Sequence, residues 1–142
     1  MIAGGQTGRL ICKAHFHFPM AQVLKSGKKL FDADLADSFF PKLLGIMFQN
    51  TPLRKKFTRP LLFVFDSESA FENSIHSMFC FVRFDAVYLD SKGVVIDSIP
   101  SIPPWELFIS PSKPSKYLVE LPSGQAKKFG LSKGTRLSLR LD

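Results

Sequence analysis

The hydrophobic pattern of residues 74–90, SIHSMFCFVRFDAVYLD, places the strongest constraint on the fold. Every side chain from residue 78 to residue 82 is apolar, so an extended segment there would be covered on both faces, as in a central strand. A turn signal follows between Asp90 and Gly93, where glycine can take the positive φ of a hairpin turn, and a second apolar run begins at Val94. We therefore predict a buried strand that leads into a β-hairpin.

Other short apolar runs have the length and alternation of strands, and residues 23–37 are interpreted as a loop leading into a short extended segment. The runs are residues 9–18, 61–65, 117–121 and 135–141. Two short helices are predicted, one from Asp37 or Ser38 to Gly45 and one from Ser123, as N-cap, to Gly130. The prolines between residues 100 and 114 predict a mostly irregular segment.

These elements predict a β-rich α+β fold. We expect a single compact domain over residues 1–142, in which a mainly antiparallel sheet curls into a small barrel accompanied by two short helices. A composition of 45% hydrophobic residues, with 15 phenylalanines, is typical of a chain that buries a core.

Localisation and partners are constrained by composition. The N-terminal residues lack the basic and apolar regions of a signal peptide, and no run reaches the roughly 18 apolar residues of a membrane helix. Cys12 and Cys80 lie among apolar residues and are interpreted as buried reduced thiols. We therefore expect a cytoplasmic protein without membrane association.

The net charge of +7 favours encounter with polyanions, so nucleic acid is a possible partner. The basic residues fall into separate runs at residues 25–29, 54–59 and 127–128. Such scattered runs are typical of a solvated surface, which is the alternative interpretation.

Several segments resemble the family known as domain of unknown function 192, in the order and spacing of its archaeal-type members. They include GIMFQ at residues 45–49, the run at residues 74–90, and Glu120, Leu121, Pro122 and Gly124, which match its Glu-Leu-Pro-x-Gly motif. The resemblance extends from about residue 35 to residue 139, although Gln49 stands where the family has arginine. It implies a compact β-rich fold and no established activity, cofactor or partner.

Five residues are predicted to line a ligand-binding cleft, because they combine apolar surface with a few polar groups next to the proline-rich segment. They are Met47, Phe48, His76, Trp105 and Glu120. Glu120 is flanked by apolar residues, so its pKa should be raised unless arginine or backbone donors pair with it. Trp105 either fills a gap in the core or caps the cleft.

The remaining polar residues have structural interpretations. Arg83 and Asp85 would share one face of a strand and form an ion pair with each other or with Glu120. Asp90 is expected to bond the backbone of the hairpin turn. His15 and His17 could bind a metal together with His76, but no sequence spacing requires the three to meet.

The function favoured by these residues is a non-catalytic binding module with a cleft for a peptide or a small anionic ligand. No catalytic residue, metal or cofactor is predicted. The alternatives are a basic protein associated with nucleic acid and a metal-dependent hydrolase that uses His15, His17 and His76.

Overall fold

The computed structural model describes residues 19–36, 59–71, 73–75 and 82–141, and these residues form seven strands and one short helix. The strands are β1 (Met20–Lys25), β2 (Lys28–Ala36), β3 (Leu61–Ser69), β4 (Phe84–Leu89), β5 (Val95–Ile102), β6 (Ser115–Pro122) and β7 (Ser138–Leu141), and helix α1 (Gln125–Lys128) lies between β6 and β7. The predicted β-rich fold is confirmed.

The seven strands form one sheet in the order β5-β4-β6-β3-β2-β1-β7. Its pairs are antiparallel except β2 with β3, as the sequence predicts for a mainly antiparallel sheet. The predicted barrel is wrong, because the edge strands β5 and β7 form no ladder with each other. Among the described residues, the isolated bridge between Val94 and Arg136 is the nearest approach to closure of the sheet. Strand β7 is four residues long and pairs with β1 instead.

Two hairpins organise the described chain. The predicted turn after β4 is confirmed: Gly93 has φ 81°, and the Asp90 carboxylate accepts hydrogen bonds from the backbone N–H groups of Lys92 and Val94. The β1–β2 hairpin stands where we predicted a loop. Its turn contains Ser26 and Gly27, both with positive φ, so this Ser-Gly pair turns the chain between two strands.

As predicted, Gly130 closes the C-terminal end of helix α1: the turn after the helix ends at Gly130, which has φ 64°. Its start differs from the prediction. The N-cap is Gly124, with φ 91°, and no side chain of the cap bonds the helix. Ser123 instead donates a hydrogen bond from its hydroxyl to Ser101 Oγ at 3.0 Å, and a buried carboxylate described below takes the role of the cap.

Alternation along the central strands gives the sheet two apolar faces. The first, which we call the Asp85 face, carries Leu62, Asp85, Val87, Val119 and Leu121 and packs against α1. The second, the Glu120 face, carries Leu61, Ala86, Tyr88, Leu118 and Glu120 and packs against Ile109. Both faces of β4 are therefore buried.

Other predicted elements lie outside the described residues. They are the strand at residues 9–18, the helix from residue 37 or 38 to residue 45, and residues 78–81 of the predicted central strand, whose last residue, Val82, is described and lies in a bend before β4. The segment of prolines is described, and it runs as an irregular connection from residue 103 to residue 114, with Pro100 inside β5.

Candidate functional site

The carboxylate of Asp85 holds neighbouring backbone segments against the Asp85 face of the sheet. It is 1% exposed, and it accepts hydrogen bonds from the backbone N–H groups of Ser101 at 2.8 Å, Gly124 at 3.0 Å and Ala126 at 3.0 Å. The last two donors belong to the first turn of α1, whose N–H groups have no partner within the helix. Asp85 therefore fixes the start of α1 and the end of β5 to the centre of the sheet.

The predicted ion pair of Arg83 with Asp85 or Glu120 is wrong. The Arg83 guanidinium donates instead to the carbonyl of Ser101 at 3.0 Å, while backbone amides occupy both oxygens of Asp85. The sequence indicated that Asp85 is buried in a strand. It did not indicate the hydrogen-bond partners of Asp85, because these lie at the end of β5 and the start of α1, which are distant in the sequence.

Glu120 has the opposite environment on the other face of the sheet. It lies between Leu61 on β3 and Ala86 on β4, and it is 5% exposed. Its Oε2 atom has no hydrogen-bond partner within the part of the chain that the structure describes. Burial raises the pKa of Glu120 from 4.5 to about 8, so the carboxyl group is mainly protonated at neutral pH. Of the two alternatives that the sequence left open, a raised pKa or a pairing with arginine or backbone donors, burial favours the raised pKa.

Tyr88 connects the Glu120 region to the irregular segment. Its hydroxyl donates a hydrogen bond to the carbonyl of Ile109 at 3.1 Å. Burial raises the pKa of Tyr88, and the nearby charges of Glu120 and Asp97 raise it further. Glu120 and Tyr88 are diagonal neighbours on β6 and β4, within reach of each other's long side chains.

A cleft of about 440 Å³ lies between the second half of β5 and the irregular segment. Its lining includes Ile99, Ser101, Glu106, Phe108 and Ile109. Ser101 and Trp105 have positive φ values of 49° and 67°. Non-glycine residues rarely adopt this conformation, and strained backbone of this kind is concentrated at functional sites.

Large apolar side chains are exposed around this cleft. Trp105, Leu107 and Phe108 are 52%, 72% and 59% exposed, and the ring of Phe108 lies 6.1 Å from that of Phe71. An exposed apolar group of this size next to a cleft is typical of a binding surface.

The five predicted ligand-binding residues are placed as follows. Trp105 is on the segment that covers the cleft, where it does not fill the core, and Glu120 is buried in the sheet behind Tyr88. Met47, Phe48 and His76 lie outside the described residues, so their place in the cleft stays a prediction. Ser101 and Phe108 also line the cleft and were not among the predicted site residues, although both belong to the proline-rich segment.

The metal hypothesis also stays a prediction, because His15, His17 and His76 all lie outside the described residues. Within residues 19–36, 59–71, 73–75 and 82–141, no group of three histidine, cysteine, aspartate or glutamate side chains could hold a metal ion. The helix in those residues is too short to cross a membrane.

Comparison with solved structures supports the fold. A protein from Sinorhizobium meliloti, provisionally described as a transcription regulator, has a TM-score of 0.68 at 20% identity, covering 84% of this chain and 92% of that one. A protein of unknown function from Novosphingobium aromaticivorans has a TM-score of 0.66 at 14% identity, covering 84% and 83%. At these identities the likeness concerns the fold alone.

Sequence comparison identifies archaeal relatives. A UPF0127 protein of Pyrococcus furiosus is 30% identical over 118 residues, which cover 83% of this chain and 95% of that protein. A UPF0127 protein of Pyrococcus horikoshii is 34% identical over 90 residues, which cover 63% and 71%. The family model DUF192, described as an uncharacterized ACR family, matches residues 21–139 and so begins at β1, earlier than the resemblance predicted. The chain therefore belongs to the DUF192 family, whose function is uncharacterised.

Proposed function

We propose that the protein is a non-catalytic binding module that holds an extended peptide in the cleft beside β5. The observation that carries this proposal is the position of the cleft, which runs along residues 99–102 at an edge of the sheet. An extended peptide can add a strand to such an edge, with backbone hydrogen bonds supplying affinity and alternate side chains entering pockets.

The two halves of β5 support this placement. Near its start, the backbone of Val95 is already engaged, because its N–H donates to Thr135 and its carbonyl accepts from Gly134. The second half faces the cleft instead. A peptide that docks there would meet the strand edge on one side and the apolar side chains of Phe108 and Ile109 on the other.

A peptide is favoured over a small anionic ligand by the charge of the cleft. The described lining contains one acidic side chain, Glu106, and no basic side chain, so nothing in it attracts an anion. A peptide with apolar side chains, neutral or basic, needs no such attraction. Trp105, exposed on the same segment, extends the surface available to it.

Glu120 can influence the cleft through its neighbour Tyr88. The Tyr88 hydroxyl ties Ile109, which lines the cleft, to the sheet. Ile109 is also held by two backbone hydrogen bonds with Ile75, so the Tyr88 bond is one of three that fix this wall. Ionised Glu120, a diagonal neighbour of Tyr88, would compete for the Tyr88 proton and weaken that one bond.

The test is a screen of random extended peptides, displayed at pH 7, with a parallel thermal-shift screen of small carboxylates and phosphates. We expect selected peptides to share apolar residues at alternate positions and to lose binding when alternate backbone nitrogens are methylated. Stabilisation by small anions without any peptide binder would replace the proposal with the small-ligand alternative, and silence in both screens would contradict both.

Two neighbouring side chains offer a matched pair of variants for the selected peptide. Phe108→Ala removes a side chain that lines the cleft, whereas Leu107→Ala removes an adjacent side chain that is more exposed and does not line it. We expect at least a tenfold loss of affinity for Phe108→Ala and less than a threefold loss for Leu107→Ala, measured by calorimetry. Equal losses would place the peptide elsewhere.

A further inference from the structure

Eight basic residues occupy residues 20–32 and 123–141, which contain the β1–β2 hairpin, α1 and β7. They are Lys25, Lys28, Lys29, Lys127, Lys128, Lys133, Arg136 and Arg140, and we call them the basic face. Lys25 is half-buried and the other seven are exposed. The same segments contain a single acidic residue, Asp32, which forms a salt bridge with Lys29 at 3.0 Å.

Three contacts bring these segments together, although the sequence separates them by about a hundred residues. Lys25 Nζ donates to the carbonyl of Gly130 at 3.1 Å, just after α1. The rings of Phe31 on β2 and Phe129 lie 4.9 Å apart. Strand β7 pairs with β1 along residues 138–141. Two of the runs that we interpreted as scattered, residues 25–29 and 127–128, therefore lie close to each other in the fold.

The rest of the described chain has the opposite charge balance. Outside these two segments, the described residues include five basic and eight acidic side chains. The positive charge of the described residues is therefore concentrated in these two segments. A concentration of this kind produces a local positive potential that a net charge alone does not predict.

We infer that the basic face binds the phosphate backbone of nucleic acid without reading its sequence. Strands β7, β1 and β2 together span about 10 Å, and a duplex presents about six phosphate charges over that length. Six of the eight basic residues are lysines, which act as point charges toward phosphate. Exposed hydroxyls such as Ser26 and Ser138 can add hydrogen bonds to phosphate oxygens.

A nucleic acid fits the basic face better than a membrane surface does. Proteins that lie on membranes combine basic side chains with large apolar side chains that enter the lipid. Among the described residues, the large exposed apolar side chains are Phe71, Trp105, Leu107, Phe108 and Leu141. Only Leu141 belongs to the segments of the basic face, so charge and apolar surface are separated. This inference is independent of the proposed peptide cleft.

Fluorescence anisotropy with a labelled 20-base-pair duplex of random sequence tests the inference across 50 to 200 mM salt. With about four phosphate contacts, affinity should fall on the order of 100-fold over this range, with a slope near −3.6 in the logarithmic plot. The double variant Lys127→Gln with Lys133→Gln should reduce the slope by about 1.8. Both side chains are exposed, and melting temperatures verify that the variant is folded.

Lys113→Glu is the control, because it changes the net charge by the same two units at an exposed residue outside the basic face. It should leave the slope unchanged. Three results would overturn the inference: no binding at 50 mM salt, equal losses in the control and the double variant, or tighter binding to anionic vesicles or polyglutamate than to the duplex.

Discussion

The two carboxyl groups buried in the centre of the sheet, on the adjacent strands β4 and β6, have opposite environments. Asp85 is surrounded by donors and accepts three backbone hydrogen bonds. Glu120 is buried almost as deeply, yet its Oε2 has no partner among the described residues. The difference arises from the faces on which they lie, because loop ends and α1 meet the Asp85 face, whereas apolar side chains surround Glu120.

This contrast separates architecture from a candidate site. An ionised carboxylate with several backbone donors stabilises the fold, and its loss leaves buried N–H groups without partners. A buried carboxyl group with an oxygen that lacks a donor is costly for the fold, and such perturbed groups are concentrated at functional sites. The two residues therefore call for different tests.

The largest expected effect is that of Asp85→Ala. Three buried or partly buried backbone N–H groups would lose a charged acceptor, so we expect the free energy of unfolding to fall by about 5 kcal/mol. Urea denaturation measures the loss. Asp90→Ala is the control, because Asp90 accepts two hydrogen bonds at a partly exposed turn and should cost about 1 to 2 kcal/mol. Similar losses in both variants would contradict the conclusion that the Asp85 carboxylate holds these backbone segments against the sheet.

The second largest expected effect is the dependence of stability on pH that Glu120 contributes. Its pKa is raised from 4.5 to about 8 in the folded state. The unfolded chain therefore ionises first, and stability should decrease as pH rises from about 4.5 to about 8, then level off. Glu120→Gln removes this dependence. Between pH 5 and pH 9 the variant should gain on the order of 4 kcal/mol relative to the original protein.

Denaturation curves of both proteins at several pH values provide the comparison. The sign does not depend on whether glutamine fits well at residue 120, because a constant cost shifts the whole curve and leaves its slope unchanged. Parallel curves for the two proteins would show that Glu120 is not protonated in the folded state.

The smallest effect concerns Tyr88. Tyr88→Phe removes the hydrogen bond to Ile109 while it keeps the ring, so stability should fall by about 1 kcal/mol. If this bond ties one wall of the cleft to the sheet, the affinity for a selected peptide should also fall. In the original protein this affinity should decline above pH 8, and in the variant that decline should disappear. Thermal denaturation and calorimetry across pH 6.5 to 9 measure both quantities, and an unchanged decline above pH 8 would exclude Tyr88 as the link.

The sequence was sufficient for features that depend on local pattern. The β4–β5 hairpin followed from Gly93 between two apolar runs, and the apolar neighbours of Glu120 left two alternatives for its carboxyl group, a raised pKa or a pairing with arginine or backbone donors. The strand β6 and the end of α1 at Gly130 were predicted for the same reason.

Features that depend on distant parts of the chain were not predicted. The partners of Asp85 come from residues 101, 124 and 126, so no pattern near Asp85 indicates them. The open sheet depends on the short length of β7 and its pairing with β1. The basic face is also a product of tertiary contacts, because it joins Lys25 to the end of α1.

The contrast between Asp85 and Glu120 requires that Glu120 is an uncharged acid inside the folded protein. A titration of the side-chain carboxyl carbons by NMR measures this directly, with the Glu120→Gln variant identifying the resonance. We predict a midpoint at about pH 8 for Glu120. A midpoint near its ordinary value of 4.5 would mean that the carboxylate is charged and solvated or paired, and it would contradict the account.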